Sequence, residues 1–399
     1  MGLGEQALAD LYYAVLLKDL GCSSNAARIA ELYVADDRAF KQDWKVAGTS
    51  LPQVLQFVFA KTGQGATLRR KISAIGNILK NGDAIAQEMI QTRCTRGAEI
   101  ARKLRFGDGV AHGIFHLDEH WDGSGRPGRL SGEAIPLASR LALLAQVADV
   151  FFQHGGRDAA MAEVASRAGS WLDPNLCATF VSLGQNRHFW SALESPFLDA
   201  TVAAEAPRRG QMIVDDDYLD DIAEAFGEVV DAKSPYTGGH SGRVAGYTTS
   251  MSRLMGLGRD RQRWLYRGAL LHDVGKLGVS SLVLEKPGKL DDHEWVEMRG
   301  HAETTREVLG RIECLADLAD AAAAHHERLD GTGYPLGLKG QEIAKETRII
   351  SVCDFYDALT ADRPYRAATP VEKALSIIEG EVGKAVDGEA FEALKASLQ

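Results

Sequence analysis

His240, His272, Asp273, His301, His325, His326 and Asp354 carry imidazole and carboxylate groups, the side chains that hold divalent first-row metals. They recur about once per helical segment of the C-terminal half, each at or near the inner face of its own helix. A lone His-Asp dipeptide would mean little, but this many candidate ligands are hard to explain as ordinary core residues. His272 and Asp273 stand where an apolar helix (Leu265, Ala269, Leu270, Leu271) runs into Gly275. Neighbours on a helix diverge by about 100° and cannot share a face, but at a helix end both can approach neighbouring metals. Asp273, with two oxygens, is the natural bridge between them. The plain alternative is a helix-terminal His-Asp pair that only caps, and His301 alone could be a buried, satisfied core histidine.

The elements that position these residues read as helices throughout. Strand-like alternation is absent, and Gly and Pro gather in a few loops. The expected fold is all-α, two tandem helical-bundle domains over residues 1–205 and 215–399. The linker candidate runs from Pro196 to Asp217, with a boundary near residue 210. Asp215 to Asp217 form an N-cap cluster for a helix Tyr218–Lys233, whose apolar face is Ile222, Phe226, Val229 and Val230.

Bulk properties narrow the function classes. The chain has 399 residues, 45% of them hydrophobic and 25% charged, and a formal net charge of −10. That acidity argues against wholesale binding of DNA or RNA backbone. A small phosphorylated ligand remains compatible where metal ions supply the local positive charge. The five cysteines are scattered without a CxxC pair, which fits a reducing cytoplasm rather than a disulfide framework. The N-terminus lacks signal-peptide character, and no apolar run reaches the roughly 18 residues of a membrane span, so no membrane association is expected.

An internal repeat separates chemistry from scaffold. Asp122-Gly-Ser-Gly-Arg-Pro lines up with Asp330-Gly-Thr-Gly-Tyr-Pro. At the same spacing Leu130, Gly132, Ile135, Arg140 and Asp149 match Leu338, Gly340, Ile343, Arg348 and Asp357. Upstream, at a larger spacing, Met1-Gly-Leu-Gly and Leu11-Tyr12 match Met255-Gly-Leu-Gly and Leu265-Tyr266. The difference leaves extra residues around Phe40 to Arg105, which read as additional helices. His272-Asp273 becomes Lys18-Asp19, Lys276 becomes Cys22, His325-His326 becomes Leu117-Asp118, and Asp354 becomes Gln146. Lysine beside other cations and leucine cannot ligate a metal. The first copy therefore reads as a degenerate partner with a structural, dimerising or regulatory role. Its start aligns opposite Met255, so a counterpart of the His240 helix is missing from it, either truncated or borrowed. Asp357, one turn after Asp354, could orient a ligand or simply cap, and its retention as Asp149 in this copy favours the structural role.

The C-terminal residues resemble the HD-GYP family, a branch of the HD phosphohydrolase superfamily. The matching text is His240-Ser-Gly-Arg-Val, Leu270-Leu-His272-Asp273-Val-Gly-Lys276-Leu-Gly, Lys286-Pro-Gly-Lys-Leu, His301, and His325-His326-Glu-Arg through Gly333-Tyr334-Pro335. It continues with Arg348, Asp354-Phe-Tyr-Asp357 and Arg363-Pro-Tyr-Arg366, and spans roughly residues 217–397. The first half looks like the decayed HD-like domain that precedes some members. The resemblance implies an all-helical, metal-dependent phosphodiesterase acting on a cyclic dinucleotide, cyclic di-GMP or 3′,3′-cyclic GMP-AMP. Two departures stand out. Thr305 occupies a position that is commonly glycine, and Tyr236 occupies the place of a glutamate that accompanies three metals, so two ions are expected.

On that resemblance His240, His272 and Asp354 would complete one metal site and His301, His325 and His326 the other, with Asp273 between. Such donor sets suit iron, manganese or another transition ion better than calcium. Asp273 and Lys276 are the expected catalytic groups, Lys276 reaching a phosphate oxygen unless it is a solvated loop lysine. Lys276, Tyr334, Arg363 and Arg366 are candidate substrate contacts, although an exposed arginine at a helix end is as ordinary as a phosphate-binding one. A homodimer or protein partner could dock through the first domain or the Gly-Tyr-Pro loop. Two other functions stay open. One is a phosphohydrolase acting on another nucleotide or phosphate ester, and the other is a non-catalytic cyclic-dinucleotide receptor or scaffold, which would not need the full ligand set.

Overall fold

Helices dominate the computed structural model, which describes residues 2–33, 59–60, 62, 68–207, 214–234, 238–286, 288–362 and 367–399. Among them there is no sheet, only three isolated bridges, as expected for an all-α chain. Contacts divide the chain into Met1–Val214 and Asp215–Gln399. No described helix is long and apolar enough to cross a membrane.

The N-terminal unit is built from α1 (Glu5–Leu16), α2 (Ala26–Tyr33), α3 (Leu68–Lys103), α4 (Asp108–Phe115), α5 (Leu137–Ser166), α6 (Pro174–Leu183), α7 (Arg187–Leu193) and α8 (Leu198–Ala204). The last of these lies inside the stretch expected to be linker. Leu143, Leu144, Val147, Val164, Leu172 and Leu176 form one of its cores. The region read as additional helices is helical in its described part. Its C-terminal part is α3, a single 36-residue helix, which continues into the part of the repeat that pairs with the His301 segment. The extra residues therefore include the start of this helix, and the rest fall upstream of it, mostly outside the described residues.

The C-terminal unit opens with α9 (Asp216–Asp231), capped by Asp215, whose carboxylate accepts from the Tyr218 amide. It continues with α10 (His240–Leu254), α11 (Arg259–Leu271), α12 (Ser281–Leu284), α13 (Asp292–Gly310), α14 (Ala319–Ala323), α15 (Lys345–Thr360), α16 (Val371–Glu379) and α17 (Gly388–Ser397). Local chemistry sets the boundaries that matter. Gly239, in the left-handed region at φ 72°, turns the chain into α10 so that His240 is its first residue. Asp291 and Glu294 close a reciprocal capping box at the start of α13. One apolar core, including Val244, Met251, Leu265, Leu271, Leu309, Leu318, Ile349 and Ile350, locks these helices together. Fully burying each of those side chains stabilises the unit by roughly 1.5–3 kcal/mol. The helix ends that carry the histidines are held from behind by that core.

The two units share local devices. Glu119 accepts from the amides of Gly128 and Leu130, and Glu327 from those of Leu336, Gly337 and Leu338. Arg140 pairs with Asp173 at 2.8 Å and Arg348 with Asp387 at 2.9 Å, and each aspartate caps a helix.

Candidate metal centre

Five separate pieces of the C-terminal unit bring their polar side chains to one point. His240 begins α10, His272 and Asp273 follow α11, His301 sits within α13, His325 and His326 end the turn after α14, and Asp354 lies on α15. Asp273, 1% exposed, is central. Its Oδ2 lies 3.3 Å from His272 Nε2 and 3.6 Å from His240 Nε2. Its Oδ1 lies 3.5 Å from His301 Nε2 and 3.6 Å from His325 Nε2. Asp354 Oδ1 stands 3.4 Å from His240 Nε2 and 3.9 Å from His272 Nε2.

These atoms group into overlapping sets: Asp273, His301, His325 and His326; His240, His272 and Asp273; and His272, His325 and Asp354. The expected division into two ligand sets is thus less sharp here, because His325 also approaches the His272 side. His272 and His325 are neighbours, their rings 4.7 Å apart.

The outer nitrogens explain why the inner ones face each other. Nδ1 of His272, His301 and His325 lies 2.7, 2.6 and 2.6 Å from the carbonyls of Ala269, Met298 and Ala322, each three residues earlier. A carbonyl only accepts, so Nδ1 carries the proton and Nε2 turns its lone pair inward. His240 Nδ1 donates instead to Asp357 Oδ2 at 2.7 Å, and Arg243 holds that carboxylate at 2.7 and 2.9 Å. This corrects the structural reading of Asp357, which orients a member of the cluster directly. His272 Nε2, His301 Nε2, His325 Nε2 and Asp273 Oδ1 are all buried without a hydrogen-bond partner. Buried polar atoms are rarely left so. Four converging orphans, three of them imidazole lone pairs, fit a transition-metal ion.

Charge agrees with that fit. Burial opposes ionisation of Asp273, but His272 and Lys276 overcome it and hold its pKa well below the usual carboxylate range. Asp354 is likewise lowered against its burial, by His240, His272 and His326. Desolvation pushes His301, His325 and His326 down, so they stay neutral. Burial resists charge on His240 as well, yet Asp273, Asp357 and Asp354 together raise it to about 9. Ionised carboxylates beside neutral His301, His325 and His326 are what a divalent ion selects, while His240 is charged and would give up a proton to an ion.

Of the other expected contacts, Lys276 is ion-paired to Asp273 rather than standing free. Tyr334 lies against the His326 ring at 4.7 Å between centroids, and 6.3 Å from His301. Tyr236, Arg363 and Arg366 lie outside the described residues. Thr305 accepts from the Gly275 amide at 3.0 Å and donates to the His272 carbonyl at 3.1 Å, fastening the His-Asp turn to α13. His112, His116, His120, His154, His188 and His293 belong to none of the ligand groups. His120, for one, stacks on Trp171 at 4.2 Å, and burial lowers its pKa to about 4.

The N-terminal unit holds cations at matching places. A Cβ on Gly275 would overlap the His301 carbonyl and stand 2.7 Å from the Thr305 amide. A Cβ on Gly21 would overlap the Arg93 carbonyl and stand 2.8 Å from the Gly97 amide. Arg93 therefore takes the place of His301. It pairs with Asp118, and Lys18 pairs with Asp19. Sequence alignment of the short motifs missed Arg93, which lies in a stretch without glycine landmarks.

Known proteins agree with this architecture. A family model described as an HD domain matches residues 66–176 and 224–390. The chain is 51% identical over 396 residues to 3′3′-cGAMP-specific phosphodiesterase 3 of Vibrio cholerae serotype O1, spanning 99% of this chain and 86% of that one. It is 34% identical over 180 residues to the cyclic di-GMP phosphodiesterase of Thermotoga maritima, covering 45% of this chain and 49% of the relative. The crystal structure of the V. cholerae cyclic GMP-AMP-specific phosphodiesterase V-cGAP3 superposes with a TM-score of 0.63 at 45% identity, covering 100% of this chain and 88% of that one. With the HD-domain model matched in both units and the buried cluster assembled in the second, the chain belongs to the HD-GYP branch of the HD-domain family, the metal-dependent phosphodiesterases.

Proposed function

We propose that the C-terminal unit binds two divalent transition-metal ions, iron or manganese, and hydrolyses a 3′,3′-cyclic dinucleotide to its linear form, with 3′,3′-cyclic GMP-AMP preferred. The observation that carries this reading is the set of four orphaned, inward-facing atoms on His272, Asp273, His301 and His325. The preference follows the 51% identical relative, which is named for that substrate. His240, His272, His301, His325, His326 and Asp354 would be the ligands, with Asp273 offering one oxygen to each side. Ions held this way supply Lewis-acid activation of water and charge neutralisation at a phosphoryl group. Lys276, beside Asp273, places an ammonium where phosphoryl oxygens gain negative charge in the transition state. Tyr334 packs on His326 and would form one wall of the substrate site. Arg363 and Arg366 remain candidate phosphate or guanine contacts from their motif. The five free thiols and a second-messenger substrate both suit the cytoplasm.

In the same reading residues 1–205 are a degenerate HD-like domain. Permanent cations on Lys18 and Arg93 neutralise Asp19 and Asp118 there, doing without metal the charge balancing that ions do in the second unit.

The deciding experiment incubates protein reconstituted with Fe(II) or Mn(II), without oxygen, with 3′,3′-cyclic GMP-AMP, cyclic di-GMP and cyclic di-AMP, and separates products by chromatography. Linear dinucleotide is expected, fastest from cyclic GMP-AMP. Tight binding of a cyclic dinucleotide with no product would make the protein a receptor instead.

Asp357→Asn tests the orienting role. The amide cannot serve both His240 and Arg243 as the carboxylate does, and metal affinity or activity should fall roughly 10–100-fold. Metal titration followed by calorimetry measures it, and an unchanged affinity would return Asp357 to a purely structural part.

A further inference from the structure

We propose that Arg299 and Trp295 form a guanine-reading subsite at the mouth of the histidine cage. The idea rests on the phosphodiesterase reading above and adds what the enzyme recognises on its substrate. Trp295 and Arg299 lie one turn apart on α13, the helix that also carries His301. The Arg299 guanidinium carbon sits 5.6 Å from the Trp295 ring centroid and 5.4 Å from that of Tyr334. Tyr334 in turn packs on His326. An alternation of rings and one cation therefore runs outward from an imidazole of the cage to the surface.

Two features of this arrangement ask for a ligand. The Trp295 indole is 44% exposed, an apolar face open to water beside the reaction centre. Arg299 is exposed, and its contacts among the described residues are ring faces. Other arginines of this unit spend their N–H groups on carboxylates, as Arg261 does on Glu346, Arg306 on Glu303 and Arg328 on Glu381. Ring faces position a guanidinium through its π surface and leave its N–H edge unspent.

That edge presents two parallel donors. The partner it matches on a purine is the O6/N7 edge of guanine, which offers two acceptors, whereas adenine puts an amino donor where O6 would be. An exposed indole is a stacking surface for the same base. Every candidate substrate with a guanine would use this pair, and an all-adenine dinucleotide would gain only the stacking.

The test pairs binding with turnover. Arg299→Met should reduce kcat/KM for cyclic di-GMP and cyclic GMP-AMP by roughly tenfold to a hundredfold, chiefly through KM, the value of one bidentate base contact. It should narrow the preference for guanine over cyclic di-AMP by the same factor. Calorimetric binding of GMP and AMP to the metal-loaded protein should show that only GMP is weakened. Trp295→Ala should weaken both mononucleotides alike. Metal content by mass spectrometry should match the wild type in each variant. Equal loss on all three dinucleotides would mean that Arg299 grips phosphate, and reduced metal content would mean that it only supports the cage. Either outcome overturns the proposal. If the wild type hydrolyses no cyclic dinucleotide, the phosphodiesterase reading fails, yet the GMP-against-AMP comparison still decides whether this pair reads guanine.

Discussion

Replacing Asp273 with asparagine is expected to empty the centre and stop turnover. Its carboxylate faces both halves of the cluster, with Oδ2 toward His240 and His272 and Oδ1 toward His301 and His325. An amide keeps the shape but presents one acceptor and one donor, and the donor must then point at imidazole lone pairs or at an ion. Lys276 also loses its ion-pair partner. Metal-assisted stabilisation of several kcal/mol corresponds to about a thousandfold in rate, and the variant should fall by at least that much. Metal analysis of the full chain should give two ions in the wild type and fewer than one in the variant. Retention of both ions in Asp273→Asn would dismiss the bridging role, even if activity were lost.

Gly275→Ala should be nearly as damaging, for a steric reason. The added methyl would collide with the His301 carbonyl and crowd the Thr305 amide, both of them backbone in the middle of α13. No rotamer change relieves that, so the His-Asp turn and α13 must separate. Overpacking of this kind costs about 1–3 kcal/mol, or more where backbone has to move. The same movement shifts His301 from its place 3.5 Å from Asp273. A misplacement of about 1 Å costs about a hundredfold in rate. Thermal denaturation and kcat on the folded fraction separate the two effects. Gly300→Ala is the control: it lies next to His301 with nothing within 4 Å of the added carbon, so it should be neutral or slightly stabilising. A Gly275→Ala enzyme with lowered stability but normal kcat would show that the turn does not position the cage.

The ligand set was legible because its members are chemically unusual where they stand. Seven buried or partly buried histidines and carboxylates on successive helical segments carry a signal that does not depend on their exact packing. The helical class and the α9 cap were legible for a similar reason, since periodicity and Asp215 are local. What the sequence hid was supplied by backbone or by distant partners. The carbonyls of Ala269, Met298 and Ala322 orient three imidazoles but belong to residues with no functional signature. Asp357 looked structural because Asp149 repeats it, and its partner His240 lies more than a hundred positions away. Arg299 carries no signature of its own in the sequence, because its setting depends on Tyr334, in a loop more than thirty positions away. Thr305 was visible as a departure, but not that its hydroxyl bridges His272 and Gly275.

Three imidazoles brace against carbonyls one turn back in their own chain segment, so their aim is settled as soon as those short segments fold. The socket is in this sense cast before anything is placed in it. Cofactor loading then requires little rearrangement, unlike small zinc modules that order only around their ion. Exchange of one metal species for another is then expected to proceed without unfolding, and circular dichroism of chelator-treated protein should keep its helical signal. The cell's supply, rather than the polypeptide, then has a large say in which element the enzyme works with.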